Sequence, residues 1–383
     1  MNKNILVFLG HPAHFHLFKH TIAHLRANGN RVDIVIKKKD ILENLLDRSG
    51  MEYTNLLPNG RENGVLGIIK GMLRKDIGIY RHCRQNRPDI MFGTSAEIAH
   101  VGKLLGIPSI IFEEDDVAII RAFAAATYPF ADHVLSPVSC NNGRWNKKTV
   151  FYEGYHKLAY LHPNRFQPDM NIVRKYFPND EPYFLLRFAN LTAHHDNGIK
   201  GFDDAIALRL IRMLEKKGNV YISSERVLAP EFEPYALHID VLDIHHILAF
   251  AQLFVGDSQS MAVEAAMLGT PSVRFSGFSG RIGVLEELEK KYELTYGINP
   301  NDPERLLTTV DMLLEMPSLH ETFQNRRNTM LRDKIDVTAF FQWFIGNYPD
   351  SYSVIKNDTD YPKRFRTYHN ENHLRRRRAT AVH

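Results

Sequence analysis

Gly256-Asp-Ser-Gln-Ser-Met-Ala-Val-Glu-Ala-Ala-Met-Leu-Gly-Thr-Pro271 reads in turn as a strand end, a tight turn, a helix and a helix stop. Leu253-Phe-Val255 ahead of it is a short apolar run that Gly256 terminates. Ser258 or Ser260 can cap the helix that follows, and Gly269 with Pro271 stops it. A strand thus delivers a helix N-terminus, whose unpaired N–H groups and partial positive charge suit a diphosphate. Glu264 carries a second signal, because on a helical wheel it borders the stripe of Met261, Ala265 and Leu268 and so sets a carboxylate beside an apolar seam. It is not a capping-box glutamate, since three residues beyond Ser260 lies Val263. Two readings follow: an ordinary buried helix start with one partly exposed Glu, or a nucleotide site. In the second, the Ser258, Gln259 and Ser260 turn takes the phosphates and Glu264 the ribose hydroxyls.

Working outward, the first half of the chain alternates apolar strand-like runs, at residues 5–9, 32–36, 90–92, 109–112 and 134–135, with amphipathic segments. Such alternation predicts a parallel sheet with helices on both faces, in which ligands bind beyond the carboxyl ends of the strands. A second alternating set has strands at 183–188, 220–223, 239–241, 253–255 and 272–275, which makes the opening motif the end of its fourth strand. At 383 residues the chain exceeds what one core usually serves. The expected division is a first α/β domain over 1–155, a connection over 156–182 and a second α/β domain over 183–335. An aromatic-rich helix in 336–350 is expected to cross back onto the first domain, and a loosely held basic tail to fill 351–383.

The strand ends carry the candidate chemistry. After the first strand come five histidines between His11 and His24. His16, His20 and His24 fall on the face opposite Phe18, Thr21, Ile22 and Leu25 and are expected to look outward, and no carboxylate or Cys spacing completes a metal shell, so no metal ligand is assigned. His11 and His14 lie in the turn, where an imidazole either caps the helix or takes a proton from a hydroxyl near neutral pH. The run Glu113-Glu-Asp-Asp116 ends another strand. Glu113, Glu114 or Asp116 there can bind acceptor hydroxyls or act as a base if enclosed, or the run is a solvated loop. In the second half, Arg187 and His194 or His195 follow a strand and can add cationic donors for a diphosphate. Ser223 and Ser224 follow the next strand and either contact a nucleotide base or sugar or are surface residues.

Composition excludes several classes. Hydrophobic content of 44% and charged content of 24% are those of an ordinary globular protein. Two cysteines, Cys83 and Cys140, cannot form a disulfide framework, and the expectation is a reducing, cytoplasmic location. The formal charge of +4 is concentrated in Lys363, Arg364, Arg366 and Arg375-Arg-Arg-Arg378. No aromatic platform or recognised module accompanies that tail, so no nucleic-acid partner is expected. The segment 65–87 mixes Leu66, Ile69, Met72, Leu73 and Ile77 with Lys70, Arg74, Lys75, Arg81 and Arg84. It is either a domain helix with solvated charges or one that also rests on an anionic membrane surface.

Several of these stretches together carry a resemblance. Leu9-Gly-His-Pro-Ala-His-Phe-His-Leu-Phe-Lys19, Gly154-Tyr-His-Lys-Leu-Ala-Tyr-Leu-His-Pro163, Leu185-Leu-Arg-Phe188, Tyr221-Ile-Ser-Ser-Glu225 and Gly256–Pro271 resemble a prokaryotic family catalogued as a domain of unknown function. That family is grouped with the GT-B superfamily, alongside UDP-N-acetylglucosamine 2-epimerase and the peptidoglycan N-acetylglucosaminyltransferase, and the likeness spans most of residues 1–345. It implies two Rossmann-like α/β domains facing across a cleft. Gly10-His-Pro-Ala-His14 is similar in place to the transferase's glycine-rich turn ending in histidine, which implies His14 as the base. Asp257–Glu264 is similar to the epimerase's Asp-Ser-Gly-Gly-x-x-x-Glu, with Gln259 and Ser260 at the glycine positions. The expected activity is therefore a metal-independent glycosyltransferase of cell-surface glycan assembly, with a UDP-linked nucleotide sugar as donor, no further cofactor, and a glycan or lipid-linked acceptor. The alternatives are a nucleotide-sugar epimerase using the Glu113–Asp116 carboxylates with histidines, and a non-catalytic nucleotide-sugar-binding protein.

Overall fold

The computed structural model describes residues 2–37, 41–57, 64–189, 202–277 and 280–367, giving only the backbone of residues 64–69. The chain forms two compact units, Met1–Tyr160 joined by Ile335–Phe365, and Leu161–Lys334.

The first unit holds a sheet of β1 (Asn4–Leu9), β2 (Arg31–Ile36), β3 (Thr54–Asn55), β4 (Ile90–Gly93), β5 (Ser109–Phe112), β6 (His133–Pro137) and β7 (Thr149–Tyr152), in the order β3-β2-β1-β4-β5-β6-β7. Every pairing in it is parallel. Strands β4, β5 and β6 are buried along their whole length, because helices cover both faces and leave no polar side to alternate. The winding reverses between β1 and β4, and the carboxyl ends of those two strands mark the switch point where such sheets bind ligands. Phe18 of the Pro12–Ala27 helix stands edge-on to Phe92 and Phe112 at 5.1 and 5.0 Å, which fastens that helix over the switch point. The Val337–Gly346 helix joins this unit, with Phe341 on Phe112 at 4.6 Å and Gln342 Nε2 donating to the His20 carbonyl at 3.1 Å. His16 and His20 are therefore half-buried, His16 with its ring 5.2 Å from Tyr160, and only His24 looks outward.

The second unit holds β8 (Tyr183–Phe188), β9 (Asn219–Ser224), β10 (Leu253–Gly256), β11 (Ser272–Phe275) and β12 (Tyr296–Ile298), ordered β12-β11-β10-β8-β9 and again all parallel. Its switch point lies between β8 and β10. Residues 239–241 are not a strand: the Asp240 carboxylate accepts the Leu242 N–H at 3.0 Å and its carbonyl accepts the Asp243 N–H at 2.9 Å, a turn that leads into the Ile244–Phe250 helix. The strand ending at Gly256 is consequently the third of its sheet, and the fifth is β12, whose short Tyr-Gly-Ile run carries little strand signal. The polar stretch after Tyr348 is also folded, as the Asp350–Asn357 helix and a 3-10 turn, Tyr361–Phe365, whose Tyr361 stacks on Trp343 at 4.5 Å. Residues 368–383, with Arg375–Arg378, lie outside the described residues.

Candidate functional site

In the second unit the Gln259–Leu268 helix begins directly after β10. Ser258, in extended conformation, caps it by accepting the Met261 N–H at 3.4 Å, and the first helical bond is Ala262 N–H to the Ser258 carbonyl. The N–H groups of Gln259 and Ser260 thus precede the hydrogen-bonded turns, as at any helix start. Gly269, at φ 72°, closes the other end in the left-handed region that favours glycine. From Met261 to Leu268 every residue is buried except Glu264, whose Oε1 lies 3.4 Å from His245 Nε2 of the neighbouring Ile244–Phe250 helix.

The sheet behind this helix start carries one row of residues in register, Ser223 on β9, Arg187 on β8, Gly256 on β10, Arg274 on β11 and Gly297 on β12. Parallel partners at one level point to one face, so two arginines flank a position without a side chain. A Cβ on Gly256 would meet the Arg187 Cβ at 2.8 Å. Arg187 donates through Nη1 to Ser223 Oγ at 2.6 Å and through Nη2 to Glu225. Arg274, only 1% exposed, donates to Glu289 at 2.8 Å and to Gln259 Oε1 at 3.3 Å, which ties it to the first residue of the helix. The Nε of each arginine and the Gln259 Nε2 are buried donors with no partner among the described residues. A row of unmet donors beside a helix N-terminus is suited to an anion with several oxygens.

Asp257 organises the switch point. It is 3% exposed and accepts the Ala189 N–H at 2.6 Å as well as the Phe202 N–H, so one carboxyl holds both ends of the loop after β8. Burial pushes this carboxyl up to about 6, with the donating N–H groups pulling the other way. His194 and His195 of that loop lie outside the described residues. Ser260 is exposed beside the cap. Ser224 closes a local turn, donating to the Arg226 carbonyl at 2.6 Å and accepting its N–H at 3.1 Å, while Ser223 braces Arg187.

In the first unit the two turn histidines part company. His11 caps the Pro12–Ala27 helix, its Nδ1 accepting the Ala13 N–H at 3.2 Å. His14 Nδ1 accepts the Gly10 N–H at 3.0 Å, and its ring edge meets Thr94 Oγ1 at 2.7 and 2.9 Å, spanning the ends of β1 and β4. Burial, with neighbouring His11, His156 and Lys157, keeps the His14 ring well below its ordinary pKa and therefore neutral. Because Nδ1 accepts from Gly10, the single ring proton sits on Nε2, and His14 presents a donor rather than a free lone pair.

The acidic run divides by environment. Glu113 folds back onto the N–H groups of Glu114 and Asp115, at 3.0 and 3.3 Å, and burial with the Asp115 charge pushes it up to about 8. Burial alone would raise Glu114 too, yet Lys157 Nζ and the His156 N–H, the latter at 2.8 Å, hold it below the usual range. The His156 ring is pushed down to about 4 by burial, so its 3.9 Å approach to Glu114 is not an ion pair, and Lys157 is the charge partner. Asp116 turns away to accept the Asn141 N–H at 2.8 Å, joining two loops. The buried hydroxyls of Tyr128 and Tyr152, close enough to Glu113 to feel its charge, have no partner among the described residues. The structure thus brings His14 together with Glu114 through His156 and Lys157, which the sequence reading did not single out. Both stood in the quoted run after Gly154, and Arg274 showed itself as a lone charge inside an apolar strand.

No curated protein matches the chain. Among solved structures, it is similar to the UDP-GlcNAc 2-epimerase from Neisseria meningitidis bound to UDP-GlcNAc, at 13% identity and a TM-score of 0.63 over 85% of this chain and 97% of that one. The S. aureus MnaA–UDP complex aligns at 12% identity and 0.66, over 92% and 97% of the two chains. The spinosyn forosaminyltransferase SpnP aligns at 12% and 0.58, over 87% and 96%. The fold is accordingly of the GT-B type shared by such epimerases and glycosyltransferases. Residues 4–292 match the family described as protein of unknown function (DUF354), and the chain belongs to that family.

Proposed function

We propose that the chain is a nucleotide-sugar-dependent glycosyltransferase of cell-surface glycan assembly, taking a UDP-linked donor and a glycan or lipid-linked acceptor. The observation that carries the reading is the Arg187–Gly256–Arg274 row beside the Ser258-capped helix start. The donor diphosphate takes the Gln259 and Ser260 amides together with the unmet N–H groups of the two arginines, and Glu264 with His245 takes the ribose hydroxyls. As the bond from the anomeric carbon to the diphosphate breaks, charge grows on the leaving oxygen, and guanidinium groups already in place stabilise it without a metal. The new bond forms to an acceptor hydroxyl, whose proton passes to a base. Glu113, titrating near 8, is basic enough for that step and is ionised in part at neutral pH. His14, with its Nε2–H turned to Thr94 Oγ1, then positions that hydroxyl for an oxygen of the acceptor or sugar. The likeness to epimerases and glycosyltransferases supports the fold on which such a site is built.

Calorimetric titration with nucleoside diphosphates and their sugars tests this reading. The expected result is selective binding of UDP and a UDP-sugar, weakened roughly tenfold or more in Arg274→Ala and Glu264→Ala. Failure of every nucleoside diphosphate to bind would sink the proposal, and strict dependence of turnover on a divalent ion would remove the role given to the arginines.

A second reading, epimerisation of the nucleotide sugar itself, is favoured by one feature: adjacent Glu113 and Glu114 are held in opposite protonation states, as a paired acid and base require. Incubating UDP-sugars in deuterated water without acceptor separates the two, since an epimer carrying carbon-bound deuterium belongs to the epimerase alone.

A further inference from the structure

The Gly64–Asn86 helix buries Ile79 and Cys83 in the core of the first unit and turns the opposite side to solvent. On that side Leu73 is 53% exposed, Ile77 49% and Tyr80 36%. Lys70, Arg74, Arg81 and Arg84 are exposed on the same side, and together these residues cover about 120° of the helical wheel. The helix has one carboxylate, Asp76, which stays partly exposed at the edge of this face, where it meets His100 Nδ1 of the neighbouring Ala96–Leu105 helix at 3.2 Å. That neighbour extends the surface with exposed Lys103 and with Leu104, 72% exposed, and Phe130, 42% exposed, stands edge-on to His100 at 5.0 Å.

Single exposed apolar side chains are normal on any protein. Here four are gathered on two adjoining helices, with Phe130 in the turn beside them, and five cations outnumber the one carboxylate, Asp76, which is the composition of a surface that enters the headgroup layer of a bilayer. A protein partner would be met by mixed charge. An anionic bilayer supplies uniform negative potential and apolar depth together, so the complementarity favours lipid. No described helix is long and apolar enough to cross a membrane. We propose that this face of the first unit docks on the surface of an anionic bilayer, with Leu73, Ile77, Tyr80, Leu104 and Phe130 in the interface and the basic residues over the headgroups. The inference is independent of the nucleotide site.

Flotation of the full chain with vesicles of phosphatidylcholine, with and without phosphatidylglycerol, tests it. Expected is binding to the anionic vesicles alone, released by salt. Arg81→Gln combined with Arg84→Gln lowers the partition coefficient roughly 25-fold, and Leu73→Ser combined with Ile77→Ser lowers it roughly tenfold, with thermal melting little changed because all four side chains are exposed. Replacing Arg375–Arg378 with serine in the full chain retains most of the binding. The proposal is overturned if the wild type ignores anionic vesicles, if both helix variants bind like wild type, or if only the Arg375–Arg378 variant loses binding. It is also overturned if sedimentation shows a dimer that Leu73→Ser with Ile77→Ser breaks, which would make the face a contact between two copies.

Discussion

Glu113 shows how one side chain's surroundings set its chemistry. Its carboxyl has an ordinary value of 4.5 and titrates near 8 in the fold. Between those limits the folded chain keeps a proton that the unfolded chain has lost, so this contribution to stability is complete below about pH 4.5 and is lost as pH rises through about 8. Glu113→Gln, which keeps the neutral shape at every pH, is expected to be roughly 1–3 kcal/mol more stable than wild type near pH 8.5 and nearly equal to it near pH 5. Urea melts at the two pH values check this, and parallel pH profiles for the two proteins would exclude a buried neutral Glu113. The adjacent Glu114 has the opposite character because Lys157 neutralises it. Nothing in Glu113-Glu-Asp-Asp116 as a string separates the two roles, since the separation comes from residues more than forty positions away.

The Gln259–Leu268 helix shows how an element builds a site from local rules. Its cap, its glycine stop and its partly exposed Glu264 are all visible in the order of residues, because capping and helical period are local properties. Ser258→Ala removes the cap and is expected to cost about 1 kcal/mol in chemical denaturation. The same variant should weaken nucleotide binding little, because the Gln259 and Ser260 amides remain. A loss of binding much larger than the loss of stability would instead give the Ser258 hydroxyl a direct role on the ligand. Arg274 belongs to the same site but was not read as part of it, and Asp257, though inside the quoted motif, was given no role there. Arg274 reaches the helix only because β10 and β11 pair with Gly256 opposite Arg274, and Asp257 reaches Ala189 and Phe202 only because β8 lies beside β10.

At the scale of the whole molecule, each unit has its own parallel sheet and its own switch point, and the two proposed roles are assigned to different units. Hydrogen exchange measured with and without UDP should therefore show slowed amides at residues 187–189, 223–226 and 256–264, with strands β1 to β7 unchanged. Protection confined to the first unit would move the nucleotide site there and overturn the assignment of Arg187, Arg274 and Glu264.

The α/β class, the alternation into two sheets, the helix start after Gly256 and the basic amphipathic helix follow from the sequence by itself, since each rests on periodicity and local turn chemistry over a few residues. Strand β12 and the folded stretch after Tyr348 escaped that reading because their stability comes from neighbours: β12 from β11, and Tyr361 from Trp343. Tertiary structure alone decided the rest. It assigned the His14 proton through Gly10 and Thr94, split Glu113 from Glu114 through burial and Lys157, and set two arginines on either side of a glycine. Strand register and burial are properties of residues distant in the chain, and no local pattern encodes them.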